Sequence, residues 1–288
     1  MVEAAVVDRS PFGGRIPGRL DRAVLAATRA MPDNWLGLRL AMVFRRVTMR
    51  RLGQGGLDTM LWGMRLRLYP RRNGCEKNAL FTPQMFDVFE RDVLAQAIER
   101  RRAEGKTFTF VDIGANVGLY SLFVAARAGN NARILAIEPQ PGILERLRFN
   151  LAANPDAPID VLAIAVADHD GTVDLLIDPR DSGGTRIDKD AASPRSETVP
   201  VPCRPLTAIL ADAGISGVDA LKIDVEGAED LALAPFLQAA AQHLLPDLVL
   251  IEDTRGQWRT DVFALLRQRG YTEFARSRQN VAFRRDRT

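Results

Sequence analysis

The 288-residue chain is 47% hydrophobic and 26% charged, ordinary proportions for a folded core, with a formal net charge of +3. Residues 1–72 hold 14 arginines against five acidic residues, so the remainder is net negative and lacks the basic track that a long nucleic-acid substrate requires. No apolar run approaches the roughly 20 residues of a membrane span, and Cys75 and Cys203 match no zinc spacing, which leaves two free thiols in a reducing cytoplasm as the expectation.

The N-terminus shows no apolar segment followed by a cleavage site, so no secretory signal is expected. Residues 1–19 are rich in Pro, Gly and Arg and read as disordered. Helices follow over 20–30 and 34–52, the second capped by Asp33 or Asn34. That second segment mixes Trp35, Leu36, Leu38, Leu40, Met42, Val43, Phe44 and Val47 with Arg39, Arg45, Arg46, Arg50 and Arg51. A basic apolar helix can lie on an anionic membrane. The even spread of its apolar positions favours capping the core or a partner subunit instead. Residues 1–60 thus form a basic extension, and 61–288 the main domain.

Gly53-Gln54-Gly55-Gly56 breaks the helix, and a short strand over 64–69 and a turn over 70–73 lead to a helix over 86–102. Then the pattern alternates: strand 108–113, helix 117–128, strand 133–138, helix 141–153 and strand 159–165. A hairpin strand 172–177, a polar loop 178–197, strand 198–202, helix 205–213, strand 219–225, helix 227–244 and strand 247–252 follow. A helix near 258–269 and strands 271–275 and 280–284 finish the chain. This predicts an α/β fold, a doubly wound and mostly parallel sheet with a C-terminal antiparallel hairpin.

Residues 110–121 read F-V-D-I-G-A-N-V-G-L-Y-S, a buried strand running into a glycine turn that opens a helix. Asp112 arrives at the carboxyl end of the strand, and Gly114 and Gly118 allow a sharp turn close to a ligand. Glu138 closes the next strand, where a carboxylate can accept two hydrogen bonds from a ribose diol. Nicotinamide sites favour G-x-G-x-x-G, which is missing here, and an adjacent carboxylate repels a pyrophosphate. It attracts a cationic, amino-bearing ligand such as the methionine part of S-adenosylmethionine.

Residues 221–229, L-K-I-D-V-E-G-A-E, put charge into a strand that should avoid it. Alternation sets Lys222, Asp224 and Glu226 on one side, at the strand end that lines the crevice of such a sheet. Glu226 and Glu229 also suit the start of the following helix.

These two motifs together resemble the FkbM-type methyltransferases, a branch of the class I S-adenosylmethionine-dependent enzymes, over about residues 64–284. A-I-A-V-A-D-H-D-G at 163–171 resembles the family's third strand and the turn after it. The resemblance implies donor contacts from Asp112, Gly114, Ala115, Asn116 and Gly118, ribose contact from Glu138, and adenine contact near Val166, Ala167 and Asp168. It also implies O-methylation of a hydroxyl on a small molecule, sugar or glycan.

Methyl transfer asks the protein to align the acceptor oxygen and remove its proton. Asp224 is the candidate base or orienting carboxylate, with Lys222 and Glu226 beside it. His169 sits in a turn, where a solvated side chain is the simpler reading. Asp224 with Glu252 and Asp253 could instead supply hard oxygen ligands to Mg²⁺. The loop 178–197, with Ser182-Gly183-Gly184 as a hinge, could form a lid. An NAD-type oxidoreductase and a non-catalytic scaffold that keeps the donor fold are the rival readings.

Overall fold

The computed structural model describes residues 8–52, 55–177, 186–187 and 197–285. Helices α1 (Arg19–Arg29) and α2 (Trp35–Arg51) pack together, with the Asn34 side chain capping α2 at the Gly37 N–H. An antiparallel ribbon of β1 (Leu57–Leu61) and β2 (Met64–Leu68) leads to α3 (Gly74–Phe81) and α4 (Val88–Ala103). Then β3 (Phe108–Ile113), α5 (Leu119–Ala128), β4 (Ala132–Ile137), α6 (Pro141–Ala152) and β5 (Ile159–Leu162) alternate. A separate small sheet holds β6 (Ala165–Val166), β7 (Gly171–Ile177), β8 (Arg186–Ile187) and β9 (Glu197–Arg204). The chain continues through α7 (Leu206–Asp212), β10 (Ala220–Ile223), α8 (Glu229–Ala239), β11 (Leu248–Glu252), α9 (Val262–Gln268), β12 (Tyr271–Arg276) and β13 (Asn280–Arg285).

The main sheet runs β12-β13-β11-β10-β3-β4-β5, parallel from β11 to β5 and antiparallel where β13 meets β11 and β12. Strand alternation divides the core. Phe108, Phe110, Ile134 and Leu250 pack toward α4 and α5, while Val111, Ile113, Leu221, Ile223 and Ile251 pack toward α7, α8 and α9. A parallel sheet covered on both faces explains the near-continuous apolar runs of its strands. The predicted doubly wound sheet and its terminal hairpin are both present.

Several local expectations change. Residues 8–18 are ordered, not disordered. The guanidinium of fully buried Arg67 pairs with Asp58 at 2.6 and 2.9 Å and donates to the carbonyls of Asp8, Ser10 and Pro11. Asp58 in turn accepts from the N–H groups of Gly13 and Arg15 at 2.7 and 2.9 Å. A buried guanidinium needs its five donors satisfied, and this strap supplies the acceptors. The strand expected over 159–165 divides between two sheets, as β5 and β6. The expected strand 219–225 stops at Ile223, because Glu226 and Gly227 adopt left-handed φ of 53° and 98°. Buried Glu229 closes that turn by accepting from the N–H groups of Val225 and Gly227, so α8 starts two residues later than expected.

Candidate active site

The chain builds β3, β4 and β5 outward on one side, then returns to place β10 and β11 on the other. The order therefore reverses between β3 and β10, where sheets of this kind open a crevice at the carboxyl ends of their strands. A cavity of about 590 Å³ lies there, within the range of small-molecule sites. Its walls come from the turns after β3, β4 and β10, from Glu252 at the end of β11, from α3, and from Val166, Leu175 and Ile187 of the small sheet.

On the β3–β4 side the backbone does most of the shaping. Gly114 has φ +75°, and a Cβ there would stand 2.0 Å from the Asp224 carbonyl oxygen, so the two motif loops touch only because residue 114 is glycine. Asn116 also takes a positive φ, 51°, and its side-chain oxygen accepts from Asn73 Nδ2 and the Val117 N–H, both at 2.9 Å. Buried Glu138 accepts from the N–H groups of Asn116 and Gln140, each at 2.9 Å. Burial nevertheless pushes its carboxyl up to about 7, against those two hydrogen bonds.

On the β10–β11 side charges dominate. Lys222 is buried in β10 in register with Asp112 of β3, and its ammonium lies 3.0 Å from Asp224 Oδ2 and 4.5 Å from the centre of the Tyr120 ring. Burial alone would lower its pKa, but Asp224 and Asp112 more than offset that and raise it. The Tyr120 hydroxyl donates to Asp87 at 2.7 Å, and burial raises Asp87 as well. Glu252, at the end of β11, is pushed up to about 8 by burial and then by Asp224, Glu226 and Glu229; its Oε2 is buried without a hydrogen-bond partner.

The cavity brings together Gly114, Ala115, Asn116, Glu138, Val166, Lys222, Asp224, Glu226 and Glu252 from the sequence-predicted set. Asp112, Gly118, Ala167, Asp168 and Asp253 do not line it. Asp112 points into the sheet's α5 side, accepting from Ser121 Oγ at 2.7 Å, and burial raises its pKa. Gly118 starts α5 and faces Leu147, 2.7 Å from where a Cβ would sit. Ala167 is buried in the small-sheet core, and Asp168 is exposed and pairs with His169 Nδ1 at 2.7 Å. The hinge Ser182-Gly183-Gly184 and most of loop 178–197 lie outside the described residues.

Both implied groups can be tested against these side chains. For S-adenosylmethionine the fit is good: a glycine cradle that tolerates no Cβ, a buried Glu138 with spare lone pairs, and an acidic lining for a cationic ligand. For Mg²⁺ it is poor, and the expected ligand set is corrected. Asp253 is claimed by Arg255, at 2.7 and 2.9 Å, and by Arg276, which hold its carboxyl below the usual range despite partial burial. Lys222 occupies Asp224, and no metal-holding group of three or more such ligands occurs among the described residues.

Asp87, Tyr120, Asn73 and Asn280 line the site or support it without having been predicted. Asn73 was legible. N-G-C-E at 73–76 is a helix cap followed by Glu, and Asn73 does accept from the Glu76 N–H at 3.1 Å to start α3.

Comparison with known proteins agrees with this geometry. The Methyltransferase FkbM domain matches residues 112–273, which take in the second motif and the first from Asp112 onward. Methyltransferase sdnD of Sordaria araneosa is 29% identical over 189 residues, covering 56% of this chain and 72% of that protein. AMB antimetabolite synthetase AmbE of Pseudomonas aeruginosa is 28% identical over 200 residues, and the match spans only 9% of its length. Among solved structures, monomeric WbdD aligns with 69% of this chain and 41% of its own at 13% identity. Its TM-score of 0.45 is too low to carry an argument.

Proposed function

The chain belongs to the FkbM methyltransferase family, and from that premise we propose that it methylates a hydroxyl of a small molecule or glycan at the expense of S-adenosylmethionine. One observation carries the reading: the Lys222–Asp224 pair opens onto the same cavity as the Gly114 turn and Glu138. Donor-binding and proton-handling groups therefore share one crevice.

Gly114, Ala115 and Asn116 would hold the donor through their backbone, Glu138 would take its ribose, and Val166 would flank its adenine. The donor, when bound, supplies a methyl group on a sulfonium that departs as a neutral thioether. Asp224 orients the acceptor hydroxyl and takes its proton as the new carbon–oxygen bond forms. Lys222 fixes the Asp224 carboxylate from beneath, and its cation–π contact with Tyr120 holds the ammonium in place. Asp112, in register with Lys222 across the sheet, supports the ammonium from below and acts as a positioning residue.

Calorimetric titration with S-adenosylhomocysteine, with NAD⁺ in parallel, tests the donor. Micromolar binding of the first that is lost in Glu138→Ala supports the reading, and binding of NAD⁺ instead overturns it. Methyl transfer to a nitrogen or carbon acceptor, with none to hydroxyls across a panel of small molecules and glycans, overturns the oxygen assignment alone.

A further inference from the structure

Large apolar side chains left exposed among the described residues are concentrated in one place. Nine of the eleven lie between Ile16 and Val47, and seven of those nine are on α2. This helix inverts the usual arrangement. It buries its small residues, Gly37, Ala41 and Thr48, and leaves seven large ones outside. The apolar spread that looked unsuited to a surface helix in the sequence is resolved in this way, since among the large apolar side chains only Met42 and Met49 are partly buried, Met49 against the core.

At about 100° per residue, Leu36, Leu40, Val43 and Val47 fall into one outward stripe. Arg39, Arg46 and Arg50 run along one edge of it, and Arg51 lies on the other. Leu36 and Val43 are each 57% exposed, and Trp35 at the helix start is 70% exposed. The helix contains no acidic residue, and Arg39, Arg46 and Arg50 have no carboxylate partner among the described residues. An apolar stripe edged by arginines that lack carboxylate partners is the pattern of a helix lying in a membrane interface. A second copy laid on the same face would set arginine against arginine with no carboxylate between them. No described helix is long and apolar enough to cross a bilayer, which is consistent with lying on one.

We propose that α2 docks the protein on an anionic lipid surface, with the apolar stripe sunk at the headgroup boundary and Arg39, Arg46 and Arg50 on lipid phosphates. The contact reaches toward the active site. Arg45, on the inner side of α2, donates to Asn78 of α3 at 3.3 Å, and Asn78 lines the cavity. The α3 wall is therefore one helix removed from the lipid.

Sedimentation of the full chain with vesicles tests this independently of any methyl transfer. The protein should sediment with phosphatidylcholine vesicles that contain phosphatidylglycerol, much less with phosphatidylcholine alone, and less at high salt. Each arginine removed should cost about fivefold in partition, so a variant carrying Arg39→Gln, Arg46→Gln and Arg50→Gln should lose on the order of 100-fold. Leu36→Ser with Val43→Ser should also weaken binding while circular dichroism and thermal unfolding report an intact fold. Absent binding, or equal binding to both vesicles that ignores the arginine changes, overturns the proposal. So does a concentration-dependent dimer in light scattering that Val43→Ser dissolves, because a second copy then covers the face.

Discussion

Glu138 after β4 and Glu252 at the end of β11 stand on opposite sides of the sheet's switch point, and both carboxyls are raised, to about 7 and about 8. They are raised in different company. Glu138 has a backbone N–H on each oxygen, and burial is the main force on it. Glu252 has a buried oxygen with no partner and three carboxylates as neighbours. The first side of the crevice is shaped by glycine and backbone, which suits the donor-binding role proposed for it. The second is held by opposing charges, with Lys222 the cation that offsets Asp224 and Asp112. The proposed donor side is fixed by backbone hydrogen bonds, and protonation is adjustable on the other.

The comparison breaks most severely at Gly114, where the two sides touch. Gly114→Ala places a methyl against the Asp224 carbonyl in a backbone conformation that disfavours any side chain. A loss on the order of 3 kcal/mol in urea unfolding is expected, together with loss of S-adenosylhomocysteine binding. A stable variant with normal affinity would mean that the loops are not in contact. Asp224→Asn should separate the two sides cleanly. Turnover is expected to fall about 10²–10⁴-fold in steady-state assays. Donor affinity measured by calorimetry should hold, since Asn keeps the shape and Glu138 and Asn116 are untouched.

The contrast also marks what could be read from the chain alone. The β3 turn was legible because a buried strand, a glycine and a helix follow one another locally, and Lys222 stood out because apolar strands avoid charge. Its cross-strand neighbour Asp112 was not legible as such. That pairing depends on the register between β3 and β10, strands far apart in the sequence. For the same reason its place beside Lys222 did not show in the sequence, which read Asp112 as a donor contact. Residues 8–15 read as disordered because what orders them, Arg67 and Asp58, lies more than 40 residues further along. The apolar segment 57–61 was hidden beside a glycine cluster, and its pairing with β2 appears only in three dimensions.

Glu252→Gln sharpens the comparison in pH rather than in rate. The carboxyl's ordinary value is 4.5 and its folded value about 8, so the folded protein holds that proton more tightly than the unfolded chain. The stabilisation this gives is fully present below about 4.5 and is lost as pH rises to about 8. Gln removes that slope. The variant should therefore gain on the parent protein in urea midpoint at pH 9 and not at pH 4, in the absence of ligand. Glu138 contributes a decline of the same sign up to about 7, which should survive in the variant. Because Gln mimics the protonated acid, turnover at pH 7 should stay within about an order of magnitude of the parent. An unchanged pH slope would show that Glu252 titrates normally.

The smallest expected effect concerns the same acidic side. Asp224, Glu252 and Asp253 at neighbouring strand ends invite reading as a cation site, but such ligands must be free and ionised. Asp253 is bound by Arg255 and Arg276, and Asp224 already faces an ammonium that would repel a divalent ion. Burial and its carboxylate neighbours push Glu252 up to about 8, which works against the ionised form a metal ligand needs. Chelator dialysis is accordingly expected to leave turnover unchanged, and added magnesium to leave it unchanged as well. Activity lost to the chelator and restored by magnesium would require Lys222 to withdraw from Asp224, and Lys222→Met should then strengthen the magnesium response. If the positive charge there instead belongs to the lysine alone, the same substitution lowers turnover and magnesium does not rescue it.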